Sequence, residues 1–182
     1  MPRSEYNTDN TDNTLDGDVF IEITASQRDL AECSLFDDRR LFPANTEAET
    51  EDDSYTLNCT GTLTLEDGRV FLRYREPDTE DGMGAQAEIS FLEGEPDCVT
   101  VSRTGESASA FVIKEAARHT SVYGTPYGAL EMCVFAKKVK NSITADEGGE
   151  LELDYAVELR GLTAQRTKMT VRAKRRKADY SL

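Results

Sequence analysis

The sequence predicts an all-β fold, an up-and-down barrel of about eight to ten antiparallel strands. Three observations carry that expectation. From Tyr55 onward apolar and polar residues alternate with a period of two, the spacing at which side chains of a strand turn to opposite faces. Turn signals separate these runs at intervals of roughly 8 to 12 residues, and few segments read as helix. Short turns between successive strands make a meander, and a meander that closes on itself leaves no strand edge open to other chains.

The elements follow in order. Residues 1–17 are a near-repeat of Asp, Asn and Thr with too little apolar content to offset chain entropy, so a disordered acidic and polar leader is expected. In "VFIEIT", Val19, Ile21 and Ile23 alternate with Phe20, Glu22 and Thr24, as in a strand. Ser26 and Asp29 then have capping-box spacing, which predicts a short helix near the N-terminus. The stretch from about 26 to 54 is acidic and broken by Pro43, and a connection of that length in a compact domain reads as an insertion. Beyond it, Tyr55, Leu57, Cys59, Gly61, Leu63 and Leu65 share one face of a strand. Asp67-Gly68 is a strong two-residue hairpin signal and leads into a strand with Val70, Leu72, Tyr74 and Glu76 on one face.

Strands follow in "AQAEISFL", "CVTVSR" and "SASAFVIK", with turns at Glu93-Gly94 and Thr104-Gly105. "LELDYAVELRG" gives the cleanest alternation, with Leu151, Leu153, Tyr155, Val157 and Leu159 inward and Glu152, Asp154, Ala156, Glu158 and Arg160 outward. "KMTVRA" supplies the last strand of a barrel spanning residues 18–174, and a basic tail, 175–182, closes the chain.

Composition excludes several functions. A formal charge of −14 repels phosphate backbones, so nucleic-acid binding is disfavoured except through the basic cluster Arg172, Lys174, Arg175, Arg176 and Lys177. No run approaches the roughly 18 apolar residues of a membrane helix, and no signal peptide is visible, so a soluble, cytoplasmic protein is expected. The four cysteines, Cys33, Cys59, Cys98 and Cys133, have no metal-ligand spacing and are expected as free thiols. No phosphate-loop, dinucleotide or zinc-helix motif is present, so neither a cofactor nor a metal is expected.

The one histidine lies in "RHTSVYGTPYG". His119, Ser121, Tyr123 and Thr125 share one side of an extended chain, and Arg118, Thr120 and Val122 the other. A hydroxyl two residues along a strand sits roughly 6 to 7 Å away, too far to be activated directly, so no catalytic constellation is read here and the protein is expected not to be an enzyme. Pro126 between Gly124 and Gly128 marks a corner. Either face of this strand could point inward. The inward reading of His119, Ser121 and Tyr123 is preferred because Arg118 and Thr120, opposite, are themselves polar.

The series His119-x-Ser121-x-Tyr123-x-Thr125-Pro126-Tyr127-Gly128 resembles the central motif of the YwiB-like proteins. Leu72, Tyr74 and Glu76, Arg103 with Gly105, and the Gly-rich turn before "LELDYAVEL" agree in order. The resemblance implies a bacterial protein with a lipocalin-like (calycin) β-barrel, in a family listed as a domain of unknown function. It brings no activity. Barrels of this size hold one small ligand or are filled by side chains. A ligand site would draw on Glu76, Arg103, His119, Ser121, Tyr123 and Tyr127, with a Glu76–Arg103 pair and tyrosine hydroxyls recognising a polar or anionic head group. Set against it are strand ends where polarity returns anyway, and a regulatory or protein-interaction factor acting through its surface, acidic loop or basic tail.

Overall fold

The structure is a computed structural model. It describes residues 18–29, 53–77, 84–104, 108–125, 128–159 and 162–176, with backbone alone at 29, 123–125, 128–130 and 162. Ten strands make up the order: β1 (Val19–Asp29), β2 (Asp53–Glu66), β3 (Arg69–Arg75), β4 (Gln86–Leu92), β5 (Glu95–Thr104), β6 (Ser109–Lys114), β7 (Arg118–Thr125), β8 (Gly128–Asn141), β9 (Gly148–Leu159) and β10 (Leu162–Arg175). They form one antiparallel sheet in the order β6-β5-β4-β3-β2-β1-β10-β9-β8-β7. Consecutive strands pair except β6 and β7, which are the two edges of the sheet, and β1 also pairs with β10, so the sheet is a meander curled into a nearly closed barrel. At the seam the Ala116 N–H donates to the Ala136 carbonyl at 2.9 Å, and the Ala136 N–H to the Ala117 carbonyl, tying the β6–β7 link to β8.

The turns behave as their chemistry requires. Asp67 and Gly68 both have positive φ (50° and 77°), the primed hairpin geometry that matches strand twist. Gly61 is needed for a different reason: a Cβ there would lie 2.3 Å from the Arg73 carbonyl oxygen and 2.6 Å from the Ile21 side chain.

Among the described residues the expected helix does not begin at Ser26. β1 runs through Ser26 to Asp29, because Ala25 continues the inward series of Val19, Ile21 and Ile23 and every residue to Asp29 finds a partner on β10. Tertiary pairing overrides the weak capping signal. No helix occurs among the described residues, hence none long and apolar enough to cross a membrane. The leader, residues 30–52 of the insertion and 177–182 of the tail lie outside the described residues; 26–29 and 53–54 are strand.

Arg172, Lys174 and Arg175 are strand residues of β10. Arg172 and Lys174 take the outer positions that alternate with the buried Val171 and Ala173. Arg175 turns to the end of the barrel where the chain begins. Its guanidinium pairs with Asp18, donates to the Leu63 carbonyl at 2.9 Å and also reaches the Ala145 carbonyl. Asp18 in turn accepts the Leu63 N–H at 3.0 Å. Beneath this clamp the interior is apolar. Val19, Val70, Leu72, Ile89, Val99, Leu151 and Val171 are fully buried, with Phe91 and Ile113 among them.

On the outer face, cations sit between carboxylates of neighbouring strands. Arg73 bonds Glu66 at 2.6 Å and Glu88 at 2.8 Å, and the bonds that Glu66 accepts from Arg73 and Thr64 hold its carboxyl down to about 2. Arg172 bonds Glu22 and Glu150 at 2.8 and 2.6 Å. Leu153 is inward, as expected, while Asp154 and Glu158 lie on the outer face but are half-covered by their neighbours.

Candidate functional site

Along the same inward faces the chemistry changes toward the opposite end of the barrel. β3 ends at Arg75 and β5 at Thr104, so Glu76 and Arg103 reach that end together. They form an ion pair with Arg103 Nε 2.9 Å from Glu76 Oε2, its side chains 46% and 23% exposed. Polarity at strand ends and a specific charge pair turn out to be the same observation. A partly solvated pair of this kind contributes little to stability. It sets a field instead.

Three neighbours, Tyr74, Cys59 and Tyr55, feel that field. Burial pushes the Tyr74 hydroxyl well above the usual tyrosine range, with Glu76 adding to the effect. Burial and then Glu76 push the Cys59 thiol up to about 11. Tyr55, half-exposed, is raised by burial and by Glu76, against a lowering by Arg103. Burial raises the Tyr155 hydroxyl too, opposed by Thr167 and assisted by Tyr55. Tyr55 thus links the Glu76–Arg103 pair to Tyr155 and Thr167 in one polar wall. The contact of Thr167 with Tyr155 is too poorly formed to satisfy it: Thr167 is 2% exposed and its Oγ1 has no hydrogen-bond partner.

His119 stands on the inward face. It pairs directly with Val134, which is 1% exposed, and residues opposite one another in a ladder share a face. Arg118, Thr120 and Val122 are exposed on the other side. Ser121 is half-buried on the His119 face, opposite Met132. The His119 Nε2 is buried without a hydrogen-bond partner, as the Thr167 hydroxyl is. Tyr123 pairs through its backbone with Leu130, and Tyr127 lies outside the described residues. The structure therefore brings Glu76 and Arg103 together and seats His119 and Ser121 on the same inner surface.

Thr167, Tyr55 and Cys59 were not among the residues that the sequence singled out for a site. Their signal was parity alone. Thr167 precedes Met169, Val171 and Ala173 on the inward register of β10, a polar residue on an apolar face. Cys59, Cys98 and Cys133 carry free thiols. Among the described residues no group of three potential ligands could hold a metal ion.

A family model described as "Domain of unknown function (DUF1934)" matches residues 43–171. The chain belongs to that family. A solved structure, the ywiB protein from Bacillus subtilis, matches with a TM-score of 0.65 at 15% identity, covering 87% of this chain and 92% of that one. At that identity the likeness is one of fold, and it bears out the YwiB-like architecture expected from the His119-to-Gly128 motif. No curated protein matches the chain. The DUF1934 description names no activity, so function has to be argued from the barrel itself.

Proposed function

We propose that the protein is a soluble, cytoplasmic, non-enzymatic binding protein that takes a small polar or anionic ligand at the open half of its barrel. One observation carries the reading: two inward-facing polar atoms, His119 Nε2 and Thr167 Oγ1, are buried with no partner. A buried polar group without a hydrogen bond costs about 1 to 3 kcal/mol. Two such groups in one barrel half call for a partner that the chain does not supply. The Glu76–Arg103 pair and the hydroxyls of Tyr55 and Tyr155 would orient an anionic or hydroxylated head group at the mouth, and Ser121 would lie along its path. The thiol beside the pair, Cys59, is not an activated nucleophile, since burial and Glu76 hold it protonated.

Native mass spectrometry of the protein purified from its own host tests this. A bound small molecule is expected, retained by Thr120→Ala on the outer face and lost from His119→Ala. Retention by His119→Ala together with Thr167→Val, or recovery of a bare chain from the host, would overturn it.

A further inference from the structure

We infer that the barrel is entered from the side, through the seam between β6 and β7, and that His119 stands on the lip of that entrance. β6 and β7 are the two edges of the sheet, so they meet without a ladder. Three residues, Glu115, Ala116 and Ala117, join them, a link that ordinarily folds two antiparallel strands into a hairpin. Here the link is committed elsewhere. The Ala116 N–H donates to the Ala136 carbonyl at 2.9 Å, and the Ala136 N–H to the Ala117 carbonyl at 3.3 Å. The Glu115 carboxylate accepts the Val139 N–H at 3.2 Å. Ala116 adopts a positive φ of 57° in this link, a region that a side chain disfavours. Further toward the clamp, the Asn141 amide of β8 donates to the Pro96 carbonyl of β5 at 3.2 Å. The wall is therefore stitched on the side of the Asp18–Arg175 clamp and unstitched toward the polar end.

Burial on the two lips follows the same gradient. On β6 the inward Ile113, next to the link, is 1% exposed, whereas Phe111 and Ser109 beyond it are half-buried. On β7, His119 and Ser121 are half-buried, although Val134, across the ladder from His119, is buried. Apart from His119, residues 109–113 and 119–122 carry no ionisable side chain. Among the described residues no ion pair joins β6 to β7. Parting the lips thus breaks neither a ladder nor a salt bridge. Opening also relieves a deficit that closure imposes. The His119 Nε2 is buried without a hydrogen-bond partner while the seam is shut, and water or a ligand reaches it when the lips part. A ligand meets a buried nitrogen only through a wall that opens, and this is the stretch of wall without a ladder. The identity of what enters rests on the binding reading above, while the opening does not.

Diethyl pyrocarbonate tests the seam, because His119 is the only histidine of the chain and its modification is read without ambiguity. The full chain in native buffer is expected to be modified at His119, more slowly than the same chain unfolded in urea. Val112→Cys with Thr120→Cys then locks the lips, in a chain carrying Cys98→Ser and Cys133→Ser so that the new thiols pair with each other. Val112 and Thr120 lie outward, each three residues from the link. Ala110→Cys with Val122→Cys is a second lock. The oxidised form should be modified tenfold or more slowly than the same variant after reduction with dithiothreitol. A disulfide between Thr100→Cys and Val112→Cys, across the β5–β6 ladder, should leave the rate unchanged. An unreactive His119 in the native chain, with the urea-unfolded chain modified, overturns the entrance. Equal rates in the oxidised and reduced forms of both locks overturn it too. Neither probe uses a ligand, so a bare chain in the native mass spectrum sinks the binding reading alone and these rates still decide the seam.

Discussion

The two halves of the barrel interior are built from the same strands and obey opposite rules. Toward the Asp18–Arg175 clamp the buried inward side chains are aliphatic or aromatic, and they fill the space. Toward the other end the same registers carry Thr167, Tyr155, Tyr55, Glu76, Arg103 and His119, and polar atoms are left without partners. The dry half contributes the stability that lets the wet half hold groups which cost it. Stability and polar chemistry are thus separated along the barrel axis.

Three measurements would break or sharpen that division. The largest effect belongs to the dry half. Leu153→Ala removes a side chain 2% exposed and should cost roughly 2 to 5 kcal/mol in denaturant unfolding. Glu158→Ala, on the outer face and paired with the exposed Arg118, should cost about 1 kcal/mol or less. Equal costs would mean that β9 is out of register.

The second, smaller effect has the opposite sign. Thr167→Val keeps the shape and deletes the orphaned hydroxyl, so the ligand-free protein should gain up to about 1 kcal/mol and melt at a higher temperature. A loss of more than that would show that the hydroxyl is satisfied and would blur the line between the halves.

The smallest effect is chemical. The folded Cys59 thiol is pushed up to about 11 by burial and by Glu76, from an ordinary value of 9.0. An acid whose folded pKa is raised stabilises the fold below its unfolded pKa, and this contribution fades as pH climbs from 9 towards 11. At pH 8 the thiolate should be about a hundredfold scarcer than in a free cysteine, and iodoacetamide should modify Cys59 correspondingly slowly. Glu76→Gln removes the nearby negative charge and should speed the reaction. No change in the Glu76 variant would disconnect the ion pair from the wall behind it.

Much of this was legible in the sequence, for a physical reason. A strand shows its two faces in every second residue, so the meander, the Asp67-Gly68 hairpin and the inward series of β9 could be read directly. The Glu76–Arg103 pair was readable because both residues broke an apolar parity near a strand end. What could not be read depended on partners distant in the chain. Ser26 to Asp29 looked like a helix start because nothing local announces β10 across the ladder, about 140 residues away. Arg175 looked like part of a solubilising tail because its acceptors, on Asp18, Leu63 and Ala145, come from three separate places. The unladdered seam has no signature in sequence at all, since a three-residue link between two strands announces a hairpin and its commitment to β8 appears only in the fold.

The pairing of β1 with β10 has a consequence in time. The first strand finds its second neighbour only when the last has been made, with Glu22 and Arg172 some 150 residues apart. Until then a growing chain presents β1 as an edge, with Val19, Ile21 and Ile23 along it, next to a half-built apolar wall. Such long-range closure is slow, and unpaired edges invite association with other chains. During synthesis on the ribosome, the interval before β10 emerges is when this barrel is most exposed to misassembly, and the final strand ends that vulnerability.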